Sequence, residues 1–297
     1  LDSGKPISDC ETIDIPETIE TLKWHAELID KIYDQTAPAQ EDAIAMILRE
    51  PIGVVAAVLP WNFPLLMMAW KIGPALAAGN SVIVKPAEQT SLTALRTLEL
   101  MQSVGLPAGV VSVVIARGSQ VGRVIIPDPR IQTVMFTGST ETGTVISQTL
   151  AERGGDQVPL IAETGGQNCM IVDSTALPEQ VVDDVISSGF QSVGQRCSAL
   201  RVLFLQEDIA DQVITMLKGA LAELHIGDPA QLSTDVGPVI DKKALDALNA
   251  HSDYMKTHGR LLYQCQISTD VAENEHFFFA PRLYEIADIS VLKQEVF

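Results

Sequence analysis

Two residues able to do chemistry stand on either side of a short stretch of chain. Glu163 sits in Glu163-Thr164-Gly165-Gly166, and Cys197 in Gly194-Gln195-Arg196-Cys197-Ser198. A thiolate with a base at hand is an activated nucleophile, the minimum for covalent catalysis. The stretch between them holds an apolar run and an amphipathic segment, one strand–helix excursion that can fold back and bring both residues to one pocket. Taken singly, each also fits a plainer role: Cys197 as a small buried hydrophobe, Glu163 as a solvated charge. The rest of the chain decides between these readings.

Three further stretches offer polar groups of the right kind. Phe136-Thr137-Gly138-Ser139-Thr140 joins a strand pattern to a helix pattern. Gly138 lets a ligand approach the backbone, and the following helix offers unpaired N–H groups to a phosphate. Ser139 or Thr140 would equally serve as an N-cap. Gly143 is followed by Thr144 rather than Lys, so this is no P-loop, and the chain has no G-x-G-x-x-G. In Lys85-Pro86-Ala87-Glu88 a cation and a carboxylate suit ribose hydroxyls, or else a surface lysine near a helix start. Asn62, held in Pro60-Trp61-Asn62-Phe63-Pro64, is a side-chain amide that could donate to an oxyanion or satisfy its own loop.

The elements that must carry these residues follow from apolar spacing. A helix is expected over 18–33, strands over 43–48 and 53–59, and a helix apolar nearly all round over 65–78. Strands then alternate with helices: strands at 81–85, 110–115, 133–136, 158–162, 169–172 and 199–205, and helices at 91–104, 119–126, 139–153, 179–193, 208–224 and 241–258. Apolar strands alternating with helices predict an α/β architecture with a largely parallel sheet. Ligands bind such sheets outside the carboxyl ends of the strands. Asn62, Lys85 and Thr137-Gly138-Ser139 each follow a predicted strand, which points to one shared site.

Composition bounds the rest. The chain has 297 residues, 46% of them hydrophobic, enough for two cores. Its net charge of −18 speaks against non-specific binding to nucleic acid or an anionic membrane. Four unevenly placed cysteines give neither a disulfide framework nor metal-ligand spacing, as expected of a cytoplasmic protein with no metal site. The most apolar stretch, 52–79, is interrupted by Pro60, Asn62, Pro64, Lys71 and Pro74, so no integral membrane span is expected.

In order and in spacing, these motifs, with Gln195-Arg196-Cys197 and Glu295-Val296-Phe297, resemble the aldehyde dehydrogenase superfamily over nearly the whole chain. The resemblance implies a Rossmann-type NAD-binding domain plus an α/β catalytic domain, placed at 1–162 (with a bridging strand near 43–49) and 163–297. It implies that Cys197 attacks an aldehyde, that the Asn62 amide and the Cys197 N–H form the oxyanion hole, and that Glu163 activates water. It further implies NAD as cofactor, with Lys85 and Glu88 at the adenine ribose, Gly138 and Ser139 at the pyrophosphate, Glu295 at the nicotinamide ribose, and Pro60, Trp61 and Phe297 as further cofactor contacts. It implies Ser198 as a substrate contact. Glu163 argues against the branch in which CoA takes the acyl group.

From about Val110 onward the chain looks like the L-glutamate γ-semialdehyde dehydrogenase domain of proline utilization A. The first hundred or so residues look closer to betaine aldehyde and γ-glutamyl-aminobutyraldehyde dehydrogenases, a mosaic with its change between Lys85 and Gly118. Both ends read as cuts through a longer protein, leaving the catalytic domain incomplete. The expected partner is a small-molecule aldehyde, and the full-length protein is expected to be a homo-oligomer. Two other readings stay open: a non-catalytic protein on the same fold, and a cysteine hydrolase, for which no histidine motif partners Cys197.

Overall fold

The computed structural model describes residues 2–268, 277–293 and 295–296. In chain order it begins with one helical turn, α1 (Ile7–Asp9), and a π-turn over Cys10–Asp14, which lead into α2 (Ile15–Leu28) and a 3-10 turn at Ile29–Lys31. The chain divides into two compact units, Ile13–Thr164 and Leu1–Thr12 with Gly165–Phe297. The first twelve residues were expected in the first unit but pack with the second, where the Ile7 N–H donates to the Pro229 carbonyl at 2.8 Å.

The unit Ile13–Thr164 contains β1 (Gln35–Ala37), β2 (Ala45–Ile47), β3 (Val54–Val58), α3 (Pro64–Ala77), β4 (Ser81–Lys85), α4 (Leu92–Ser103), β5 (Val111–Val113), α5 (Gly118–Val124), β6 (Ile131–Thr137), α6 (Thr140–Glu152) and β7 (Leu160–Glu163). Strands β3 to β7 form one five-stranded sheet in the order β5-β4-β3-β6-β7, and every pairing in it is parallel. Side chains alternate across a strand, and β3 shows the result. Val55 and Ala57 join a core with Met68 and Ile72 of α3 and Ala94 of α4, while Ala56 joins the opposite core with Ile126, Phe136 and Ile146. Helices therefore cover both faces, which is why these strands are apolar nearly throughout.

The expected strand at 43–48 is β2, and its partner is β1, an antiparallel pairing in register from Gln35↔Ile47 to Ala37↔Ala45. Met46 and Ile47 of this pair are exposed, as are Ile19, Trp24 and Ile29 of the adjoining helical segment.

The other unit contains β8 (Asn168–Val172), α7 (Pro178–Phe190), β9 (Leu200–Leu205), α8 (Glu207–Glu223), α9 (Lys242–His258), β10 (Arg260–Gln264) and β11 (Arg282–Glu285). Strands β8 and β9 pair in parallel, and β10 and β11 pair antiparallel. The core lies under α7 and α8. Val213, Leu217 and Leu221 recur every fourth residue along α8 and are each 0% exposed, meeting Val181, Val182 and Val185 of α7. Asp241 caps α9 by accepting from the Ala244 N–H at 2.9 Å. Among the described residues, no helix is long and apolar enough to cross a membrane.

Candidate active site

The five-stranded sheet places its candidate residues by register. Strand order runs outward from β3 in both directions, through β4 and β5 on one side and β6 and β7 on the other. The gap between β3 and β6 is thus a topological switch point, the place where open parallel sheets bind ligands at their carboxyl edge. Val58, at the end of β3, pairs with Lys85 on one side and Phe136 on the other, and Thr137 pairs with Glu163. Lys85, the 59–63 loop, Gly138, Ser139 and Glu163 therefore share one edge.

Each of these residues has defined surroundings. Lys85 is buried, and its Nζ lies 3.4 Å from the Glu88 carboxylate, which also accepts from the Gly118 N–H at 2.7 Å. Burial pushes the Glu88 carboxyl up, but its own N–H, the Lys85 charge and the Gly118 N–H together hold it below the usual range. Ser139 caps α6, its Oγ accepting from the Thr142 N–H at 3.3 Å. The capping role offered by the sequence is thus present, and the hydroxyl is exposed. Gly138 donates to the Glu163 carbonyl at 3.1 Å, holding β6 and β7 together to their ends. A Cβ on Gly138 would come within 2.7 Å of the Phe136 ring. The Glu163 side chain is exposed, and Pro60, Trp61 and Asn62 are each half-buried.

Lys71 was not singled out as a site residue by the sequence, where it figured only as a break in an apolar stretch. A lysine on a helix otherwise apolar nearly all round was the available signal. Its ammonium is buried and donates to Thr137 Oγ1 at 2.6 Å, and it feels the charge of Glu163. Burial lowers its pKa to about 8, against the opposing pull of Glu163. The unfolded chain, with an ordinary lysine pKa, binds the proton more tightly, so stability rises with pH between about 8 and 10.5. The full difference is on the order of 3 kcal/mol. In Lys71→Met this gain should vanish. Urea unfolding of both proteins across that pH range checks it, and parallel pH profiles would show the lysine to be unperturbed.

The other unit carries the thiol on a strained turn. After α7 the chain enters the left-handed region at Ser192 (φ 55°), Val193 (φ 62°) and Gly194 (φ 66°). For a β-branched residue such as Val193 this is an outlier, costing on the order of 1–3 kcal/mol and persisting only where the surroundings enforce it. Arg201 Nη2 donates to the carbonyls of Gly194 at 2.7 Å and Arg196 at 3.2 Å, while Asn168 Nδ2 donates to the Cys197 carbonyl at 2.7 Å. Cys197 and Ser198 are exposed, which removes the buried-hydrophobe reading of the cysteine. Arg196 turns back to the C-terminal end of α7, donating to the carbonyls of Ser187 and Ser188. Burial lowers the pKa of both arginines, and the Cys197 charge favours their charged forms, so each contributes positive field at the sulfur.

Glu295 lies against Gly165, where any Cβ would collide with its carboxylate. Its Oε1 is buried without a hydrogen-bond partner among the described residues, an acceptor suited to a sugar hydroxyl. Phe297 lies outside the described residues. A cavity of ≈ 590 Å³ between β9, α9 and β11 has Gln195 and Arg201 in its wall but not Cys197; apolar residues such as Phe190, Leu203 and Met255 line it together with His251, Arg282 and Glu285.

The aldehyde dehydrogenase family model matches residues 1–297. The chain belongs to that family, whose enzymes use NAD(P). It is similar to the bifunctional protein PutA of Escherichia coli (strain K12), with 44% identity over 100% of this chain and 22% of that protein. It is also similar to aminoacetaldehyde dehydrogenase of Pseudomonas aeruginosa, with 46% identity over 86% of this chain and 52% of that enzyme. Among solved structures, PnpE in complex with nicotinamide adenine dinucleotide superimposes with a TM-score of 0.91 at 34% identity, covering 96% of this chain and 58% of that one. The chain thus spans about a fifth to about half of these curated relatives.

Proposed function

We propose that the chain carries out NAD-dependent oxidation of L-glutamate γ-semialdehyde to L-glutamate. The observation that carries the reading is the strand register, which sets Lys85, the Asn62 loop, Gly138 and Glu163 on one carboxyl edge at a topological switch point. The similarity to PutA over the whole chain supports the substrate.

In this mechanism the Cys197 thiolate adds to the aldehyde carbon, forming a C–S bond and an alkoxide. The Asn62 amide and the Cys197 N–H donate to that alkoxide, where charge develops. Its collapse expels hydride and leaves a thioester on Cys197; NAD, when bound, supplies the acceptor for that hydride. Glu163 takes a proton from water as the water oxygen adds to the thioester, and the acid leaves as the thiolate is restored. Lys85 and Glu88 would hold the adenine ribose, Gly138 and Ser139 the pyrophosphate, and Glu295 Oε1 the second ribose, with Pro60 and Trp61 beside them. The buried orphan oxygen of Glu295 and the Lys85–Glu88 pair fit such a ligand. A carboxylate at Glu88 repels the 2′-phosphate of NADP, which favours NAD. We assign cofactor binding to the unit with the five-stranded sheet and the nucleophile to the other. We assign homo-oligomer formation to the exposed apolar β1–β2 region.

A second reading has its own support. The similarity to aminoacetaldehyde dehydrogenase is 46%, and it fits a broad-specificity dehydrogenase of amino- or γ-glutamyl-aminobutyraldehydes. The test is NADH formation by the protein that carries this chain, with glutamate semialdehyde, γ-aminobutyraldehyde and betaine aldehyde compared at equal concentration. The highest kcat/KM should fall to glutamate semialdehyde; preference for γ-aminobutyraldehyde selects the second reading, and no aldehyde-dependent reduction of NAD or NADP sinks both. Asn62→Ala should lower kcat by roughly 10²–10³-fold with little change in KM. An unchanged kcat would remove Asn62 from the oxyanion hole.

A further inference from the structure

The strained turn before Cys197 is gripped from a distant part of the sequence. Asp9, at the end of α1, is 7% exposed, and its carboxylate accepts three hydrogen bonds. They come from Gln191 Nε2 at 3.1 Å, the Ser192 N–H at 2.8 Å and Ser192 Oγ at 3.3 Å. A buried carboxylate is costly unless its oxygens are satisfied, and this one is satisfied entirely by the turn. The donors belong to the residues where the chain enters its left-handed course, with Ser192 itself at φ 55°. Asp9 also attracts Arg196, the residue next to the thiol. On the far side of the turn, Gln195 Oε1 accepts from the Ile240 N–H at 3.0 Å. The Asp9 N–H donates to the Pro6 carbonyl at 3.1 Å, and the Ile7 N–H of the same turn donates to the Pro229 carbonyl.

We propose that Asp9 is the positioning residue of the nucleophile: its carboxylate holds Gln191 and Ser192 so that the left-handed turn presents the Cys197 thiolate in its reactive placement. The proposal rests on the assignment of Cys197 as nucleophile. A carboxylate suits the task because its two oxygens accept from a backbone N–H, a hydroxyl and an amide at once, without offering a competing donor. Asparagine keeps one acceptor for the Ser192 N–H and can turn its amide nitrogen to the Gln191 carbonyl oxygen, so it should preserve most of the grip. Alanine preserves none.

The experiment measures iodoacetamide alkylation of the full chain, resolved cysteine by cysteine by peptide mass spectrometry, beside steady-state turnover. Cys169 is exposed and Cys265 is buried, so they report general reactivity and general loosening within the same sample. In Asp9→Ala, alkylation of Cys197 should slow about fivefold or more, with Cys169 unchanged and Cys265 still protected. In the same variant kcat should fall by roughly 10–10²-fold at constant KM for NAD, the scale expected of a displaced reacting group. Asp9→Asn should recover both rates to within about threefold of the unaltered chain. If Asp9→Ala does not fold, Asp9→Glu, too long by a methylene for the Ser192 N–H, takes its place. Wild-type alkylation of Cys197 in the disrupting variant, equal losses in Asn and Ala, or new labelling of Cys265 would each overturn the proposal. Because alkylation needs neither aldehyde nor NAD, a chain without dehydrogenase activity would fail the proposed function while the role of Asp9 was still decided.

Discussion

Replacement of Cys197 by alanine is expected to abolish aldehyde-dependent NADH formation. The expected loss is about 10⁴-fold or more, equivalent to more than about 5 kcal/mol of barrier. The size follows from the two tasks that the proposed mechanism gives the sulfur: converting a planar carbonyl into an alkoxide able to expel hydride, and then holding the acyl group until water arrives. Without it a hydrated aldehyde would have to surrender hydride directly. NAD binding should survive, since the residues assigned to the cofactor do not include Cys197. Calorimetric titration with NAD beside the NADH assay separates these effects. Retained turnover in Cys197→Ala would sink the covalent mechanism.

The same variant separates this mechanism from a cysteine hydrolase. A hydrolase needs an imidazole partner for the thiol, and three of the described histidines have other company. His25 bonds to the Thr21 carbonyl at 2.8 Å, the His258 ring stacks on Tyr254 at 3.9 Å, and the His251 ring lies 6.4 Å from the same tyrosine. His276 lies outside the described residues. Ester hydrolysis that depends on Cys197 and ignores NAD would bring the hydrolase reading back.

The elements were legible in the sequence where burial imposes a simple period. Strands β3, β4 and β6 are covered on both faces, so they read as apolar runs between turn residues. Helix α8 repeats its buried residues at four-residue intervals and was found to within a residue at each end. Strands β10 and β11 are not legible in the sequence: among the described residues they pair with each other alone, and Arg260, Leu261, Gln264 and Glu285 along them are exposed. Motif residues at strand ends were legible because glycine, proline and polar types are conspicuous after apolar strands. Their shared edge, however, depends on strand order, and nothing local to Val58 states that its neighbours are Lys85 and Phe136. Lys71 and Asp9 were missed for a related reason. Each acts through a partner far away in sequence, Thr137 for one and Ser192 for the other, so only the folded chain pairs them. Arg196 could be read either way from sequence; its hydrogen bonds to Ser187 and Ser188 show a side chain that ties down α7 while adding field at the thiol.

The second large effect is expected at Glu163, and it has a different shape. Glu163→Gln keeps the size and polarity of the side chain at the end of β7 but removes its capacity to take a proton. The thioester should still form, because neither addition of the thiolate nor expulsion of hydride calls on this carboxylate. Deacylation should slow by roughly 10²–10⁴-fold, the range for loss of a general base. Rapid mixing with aldehyde and NAD should therefore give a burst of NADH stoichiometric with Cys197, followed by a very slow steady state. The acyl group should then be found on the Cys197 peptide by mass spectrometry and released by hydroxylamine. Loss of the burst along with the steady state would move Glu163 to an earlier step, as activator of the thiol. Its exposed position, where water has access and the Lys71 charge acts on it, favours the later step.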